Sequence, residues 1–555
     1  MSLLALSLLT LPLGATIQVG PSRTITQLSA VTQSNVMPGD VIEVDGDATY
    51  SPVRWTRSGT AALPIRIVGL RVNGNRPRLM GGTNTLEVEA DYVTVEGFEL
   101  TGGTFRCFYH HGDQLVLRDS VVHDCAAHGV LGADQGSGSL LMEYVEVYRC
   151  GNGTSQHQVY MATDEVAHPG SVFRMQHCYL HDANGGNNVK SRAERNEIYF
   201  NWIEGAQYHE LELIGPDPNG AAGGGTLDLR REDSDVVGNV LKKVGTSFVA
   251  RIGGDATGWS KGRYRFLNNT IITAPGSGAV FRLFDELESV EMHNNVILVN
   301  GAGAPNVLRA NAAEMTWLGG TRRVSGSNNW TTTGATNTPS EWTGTISGAS
   351  PGLVAVATND PRPMVGSPLI DAANPNPVPP AGAAFPNPLV LPTHQPPLRA
   401  LAPGMAVVRP TVGVLDIGAY EFGASTGGGG GATGGGGGAT GGGGGTATGG
   451  GTATGGGTAT GGGTATGGGT ATGGGTATGG GAGTGGGNAA GGGSATGGGD
   501  STGGGDGTAA GSCGCSSAEA LIVMLAVGLL RRRRSLRINF WARDDSQRPT
   551  LRRRP

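Results

Sequence analysis

Several familiar signatures are missing from this chain. It has no Cys/His spacing of the zinc-binding kind, no P-loop and no dinucleotide fingerprint. Its net charge is −5 at pH 7, which argues against nucleic acid as a partner. The apolar run Ala520 to Leu530 is shorter than the roughly 20 residues a membrane-spanning helix needs. The other apolar run, residues 3–13, has no Lys or Arg before it, so the charged start of a secretory signal is absent. Cysteine is sparse, at six residues in 555. Glycine is abundant, at 101 residues, but is mostly concentrated in one tail.

What is present is a short repeated phrase: an Asn, one residue, then an aliphatic. It occurs as Asn201-Trp202-Ile203, Asn239-Val240-Leu241, Asn269-Thr270-Ile271 and Asn295-Val296-Ile297. Upstream the slot is filled by Ser120-Val121-Val122, Val145-Glu146-Val147 and Cys178-Tyr179-Leu180. The aliphatic recurs every 23 to 38 residues from 122 to 297. Imperfect repeats of that length indicate stacked supersecondary units.

Each repeat carries a second strand-like run: Gly129-Val130-Leu131, Val159-Tyr160-Met161, Val189-Lys190-Ser191, Leu211-Glu212-Leu213, Ala250-Arg251-Ile252 and Val280-Phe281-Arg282. These runs are too short for helices and too evenly spaced for an immunoglobulin-like sandwich. Side chains alternate inward and outward along a strand. The pattern therefore predicts an all-β, right-handed parallel β-helix. The Asn slot has a structural explanation: Asn tolerates the bend between strands, and stacked amides bond along the axis.

The chain divides into a signal peptide (1–15), a β-helix (16–345), a closing segment (346–422), a Gly/Thr/Ala linker (423–511), an anchor segment (512–534) and a basic tail (535–555). Residues 3–13 with Gly14-Ala15 read as the apolar core of an export signal. Two phrases mark the closing segment, Gly366 to Ala372 and Asp416 to Phe422. They resemble the closing segment of bacterial surface β-helix proteins. The last coil exposes a strand edge, and a Pro-rich strap between the phrases is expected to cover it. The Gly-rich repeat has no apolar bulk to bury and reads as a flexible linker.

Cys125 and Cys150 each follow the repeat's aliphatic by three residues. They should stack roughly 4.8 Å apart on adjacent coils, within disulfide range. An exported protein permits that bond.

At the C-terminus, Cys513-Gly514-Cys515 precedes the apolar run, and Arg531 to Arg534 follow it. This order resembles the myxobacterial sorting signal MYXO-CTERM. The resemblance implies export and display at the cell surface, with the tail contacting the cell envelope.

Aligning the second strand set puts Leu131, Tyr160, Lys190, Glu212 and Arg251 in one outward column, with Arg282 extending it. His157, Asn187 and His209 form a second column, and Gln158, Asn188 and Glu210 a third. Together they predict one polar patch over neighbouring coils. Elongated stacks suit elongated ligands, because subsites can repeat along the axis.

Asn188-Val189-Lys190-Ser191-Arg192, followed by Asn196 to Ile203, Leu227 to Arg231 and Arg251 to Gly254, resembles polysaccharide lyases of the alginate-lyase and chondroitinase-B type. The resemblance implies β-elimination on a uronic-acid polysaccharide. Lys190 would be the base and Arg230 its acid-side partner. Calcium would sit on the substrate carboxylate, held by Asn188, Glu210 and Glu212. His157, Tyr160, Arg192, His209 and Arg251 would bind substrate. The expected protein is an exported, surface-displayed monomer acting on acidic polysaccharide. Three other readings remain open at this point. One is a glycan-binding adhesin in which Lys190 and Glu212 form only a salt bridge. Another is a glycoside hydrolase using Glu210 and Glu212, or Asp182. The third is a transition-metal site on His157 and His209 with Glu210 or Glu212.

Overall fold

The computed structural model describes residues 14–215, 232–254, 260–284, 286–310, 317–398 and 402–423, plus short strands between 432 and 496. Most of the expected signal peptide, the stretch 216–231 with Arg230, and the anchor and basic tail lie outside the described residues. The chain forms two compact units, 1–428 and 429–555.

The first unit is a right-handed parallel β-helix. Its coils contribute strands to three long parallel sheets of 13, 12 and 10 strands. One coil, for example, runs through Leu115–Arg118, Val121–His123 and His128–Gly132, one strand in each sheet. The repeated phrase lies at the start of the 12-stranded sheet. Its aliphatics pair in register as Val122, Val147, Leu180, Ile203, Leu241, Ile271 and Ile297. All seven are fully buried. A second inward column, from Ile42 to Met292, lines the 13-stranded sheet, and a third, from Leu86 to Leu308, lines the 10-stranded sheet. Each such side chain contributes about 1.5–3 kcal/mol by leaving water.

The Asn slot is a ladder. Asn201, Asn239, Asn269, Asn295 and Asn329 are wholly buried. The backbone N–H of each of the first four donates to the Oδ1 of the next, at 2.8–3.0 Å. The left-handed bend falls one residue earlier, at Phe200, Gly238, Asn268, Asn294 and Asn328. The ladder residue therefore satisfies the corner's backbone, while its neighbour makes the turn.

The closing segment lies along the flank of the solenoid. Leu369, Ile417, Ala419 and Tyr420 pack on the outer side chains Trp202, Val240, Ile272, Val296 and Trp330 of the 12-stranded sheet. Gly418 N–H donates to Asn294 O at 2.8 Å, and Asn328 Nδ2 to Ala372 O at 2.8 Å. Farther along, Phe385 lies over Arg195 and Arg265, outward residues of the 13-stranded sheet. The strap thus covers outer faces: the apolar side chains of the 12-stranded sheet, and on the 13-stranded sheet the guanidinium planes of Arg195 and Arg265, both already paired with Asp235.

The cysteine pairing also differs from the spacing argument. Cys107 and Cys125 form the disulfide, with Cα atoms 5.9 Å apart, while Cys150 is a buried free thiol. A corner cysteine faces the strand residue of the preceding coil, not the next corner. For Cys125 that residue is Cys107. For Cys150 it is Gly129, where a Cβ would lie 3.2 Å from Cys150 Sγ but no sulfur exists.

In the second unit, Thr-Ala-Thr triplets form short strands in two parallel sheets, with Thr446 paired to Thr458. The expected linker therefore has extended backbone at its β-branched residues, separated by glycines.

Candidate functional site

The outer face of the 10-stranded sheet carries the column read from the sequence. Pairing runs Tyr109, Leu131, Tyr160, Lys190, Glu212, Arg251, Arg282, Arg309. Tyr160, Lys190 and Arg251 are partly exposed. Glu212 is buried at the centre of a small charge network. Arg251 Nη1 donates to its Oε1 at 2.6 Å, and Asn187 Nδ2 donates to Oε2. Lys190 Nζ lies 3.7 Å from Oε2, beyond hydrogen-bond length. Arg251 is thus the closer cation on Glu212.

Arg192 is buried beneath this face. Its Nε donates to the Tyr160 hydroxyl at 3.2 Å, and its Nη1 donates to Gly215 O at 2.5 Å. Lys190 Nζ sits 5.3 Å from the Tyr160 ring centroid. Arg251 and Arg282 both stack on Phe284, at 4.4 and 4.5 Å. Arg230 lies outside the described residues.

The two histidines sit below the surface instead of on it. Asn187 N–H donates to His157 Nδ1 at 2.9 Å, and His157 N–H donates to His128 Nδ1 at 3.2 Å. His209 N–H donates to Asn187 Oδ1 at 2.9 Å, and Ser247 Oγ bonds His209 Nδ1 at 3.0 Å. This is a second corner ladder. Burial lowers the His157 pKa to about 2 and the His209 pKa to about 4. Both rings are enclosed, with Nδ1 held in the ladder and Nε2 buried, so neither reaches the surface where a substrate would lie.

The third predicted column forms an interior ladder. Gln158 Nε2 donates to Asn188 Oδ1 at 2.6 Å, and Asn188 Nδ2 donates to Glu210 Oε2. Lys243 Nζ lies 3.5 Å from Glu210 Oε1, with both side chains fully buried. Burial raises the Glu210 pKa to about 7. Asn188, Glu210 and Glu212 therefore do not converge as calcium ligands. Lys243 already faces Glu210, while Arg251 and Asn187 hold Glu212. The same separation removes Glu210 and Glu212 as a hydrolytic carboxyl pair, since Glu210 cannot reach a sugar.

Register counting missed the interior partner Lys243, the ladder member His128, and Glu87, Glu89 and His111 upstream. Among the described residues, these last three alone bring three acidic or imidazole groups within 4.8 Å of one another. Arg54 already pairs with both glutamates. Glu87 is in the same outward column, so extending the column two coils upstream would have found it.

No protein-family model and no curated protein sequence matches the chain. Its course is similar to that of several solved structures. Pectate lyase Pel9A matches at 13% identity and a TM-score of 0.46, over 74% of this chain and 97% of that one. An alginate lyase from Paenibacillus sp. str. FPU-7 matches at 19% and 0.31, over 60% and 99%. A GH136 lacto-N-biosidase from Eubacterium ramulus matches at 11% and 0.35, over 57% and 67%. These likenesses concern the path of the chain, and they carry no residue's role across.

Proposed function

We propose that the outer face of the 10-stranded sheet binds an acidic polysaccharide and cleaves it by β-elimination, on a protein displayed at the cell surface. One observation supports this most: Tyr160, Lys190, Arg251, Arg282 and Arg309 share an outward column, interrupted by only one carboxylate. The cations of this column that reach the surface, Lys190, Arg251 and Arg309, complement a polymer with repeating carboxylates. Glu212 is hydrogen-bonded to Arg251 and Asn187 and is farther from Lys190. Lys190 is therefore the residue assigned to take the C5 proton of a uronate. Arg251, partly exposed on the coil after Glu212, would neutralise a substrate carboxylate, as the enolate-like charge requires.

The test is a panel of alginate, pectin and glycosaminoglycans given to the full-length protein. Unsaturated uronides, read by ultraviolet absorbance, are the expected product. Lys190→Ala should abolish their release, and full retained activity would remove Lys190 from the mechanism. The Lys190–Glu212 approach also favours a second reading, a glycan-binding surface without turnover. Glycan retention with no new reducing ends or unsaturated product would establish that reading instead.

A further inference from the structure

The β-elimination reading needs an acid as well as a base. The 4-linked oxygen leaves as an alkoxide and must gain a proton. We infer that Tyr160 is that catalytic acid, positioned by Arg192 and paired with Lys190 as base; this rests on the β-elimination reading.

Four observations carry the assignment. Tyr160 and Lys190 are register partners on adjacent coils, both partly exposed and both in the outward column. One sugar unit can therefore meet both. Secondly, Arg192 is a donor only, so in its 3.2 Å contact the phenol oxygen accepts. The phenol's own hydrogen is thereby turned away from Arg192. Thirdly, Arg192 is itself buried and tied to the Gly215 carbonyl, which fixes its guanidinium before substrate arrives. Fourthly, the phenolate left after proton donation would meet charge already in place: Arg192 on its oxygen and the Lys190 ammonium 5.3 Å from the ring centroid. The rings of His128 and His157, with centroids 5.8 and 5.6 Å away, hold the tyrosine ring from behind.

The step balances without a cofactor. The Lys190 amine takes the C5 proton, and the C5–H pair forms the C4=C5 bond. The C4–O4 bond breaks, and its electron pair stays on O4. Tyr160 protonates that oxygen and becomes phenolate. The Lys190 ammonium then returns a proton to the phenolate, directly or through water, and both groups are reset.

The experiment compares two substrates on the full-length protein. One is the polysaccharide of the alginate, pectin and glycosaminoglycan panel that yields unsaturated product, whose leaving alkoxide needs a proton. The other is a uronoside carrying 4-nitrophenoxide at C4, which leaves as a stable anion. Tyr160→Phe keeps the ring and its packing, and circular dichroism checks that the fold is retained. The expected result is a fall of about 100- to 10,000-fold in kcat on the polysaccharide. On the nitrophenyl substrate the same variant should stay within a few-fold of wild type, whereas Lys190→Ala should lose both reactions. Equal loss on both substrates, or no loss on either, would overturn the acid role. A wild-type protein that yields no unsaturated product from any glycan or from the nitrophenyl uronoside overturns the β-elimination reading itself, and the acid role with it.

Discussion

Asn269→Ala tests whether the repeated Asn phrase is structural. The Asn269 side chain makes four hydrogen bonds in a site with no solvent exposure. Its Oδ1 accepts from Asn239 N–H and Asn239 Nδ2, both at 3.0 Å. Its Nδ2 donates to Val236 O at 2.9 Å and to Asn295 Oδ1 at 3.0 Å. Some of these partners have alternatives. Asn239 Nδ2 keeps Ile198 O, and Asn295 Oδ1 keeps the Asn269 N–H. The Asn239 backbone N–H has no second acceptor among the described residues and would be stranded in the core. A stranded buried donor costs about 1–3 kcal/mol, and the remaining losses bring the total to about 3 kcal/mol. That is roughly a hundredfold in a local opening equilibrium. Amide hydrogen exchange reads this at one position, which suits a solenoid that need not unfold in a single step. Exchange at Asn239 should accelerate by about that factor, with little change several coils away, for example in Val93–Glu96. Acceleration below about threefold would refute the ladder as a source of stability and reopen a functional role for the phrase.

Acid should weaken the solenoid. Burial depresses the pKa of His128 and His209 to about 4 and that of His157 to about 2. The unfolded chain binds protons at these sites below about pH 6.5, while the folded chain does not. Their contribution is thus intact above that pH and declines as pH falls, by up to about 1.4 kcal/mol per histidine per pH unit. Glu210 and Glu232, whose carboxyls burial pushes up, act in the opposite direction. His110 and His177, also lowered to about 4, join the three histidines and leave a net loss. Urea midpoints at pH 7.5 and 5.5 measure it, and equal midpoints would contradict it. Non-reducing peptide mapping should find Cys107 joined to Cys125, with Cys150 and Cys178 alkylated only after denaturation. A Cys125–Cys150 peptide would contradict the corner geometry. The Lys190→Ala and Tyr160→Phe experiments stand beside these as tests of chemistry.

Much of the architecture is local and therefore legible in one sequence. Strand alternation has a period of two, and parallel stacking keeps equivalent residues in register. Counting from one repeated aliphatic thus places Tyr160, Lys190, Glu212 and Arg251 side by side without coordinates. The same count brings His157 next to Asn187 and Asn188 next to Glu210. It does not say which way these side chains turn, because they sit at corners, where alternation lapses.

Direction at the corners is a tertiary property, and it decides the rest. It turns His157 and His209 inward, points Glu210 at Lys243 and away from Glu212, and joins Cys125 to Cys107. Placement of the closing segment depends on contacts such as Ala419 to Thr270, 149 residues apart, which no local pattern encodes. The Asn phrase, the outward column and the sheet to which each strand belongs follow from sequence. Which polar groups reach solvent, and which are consumed holding coils together, follows only from the packed corners, where buried donors and acceptors must find one another.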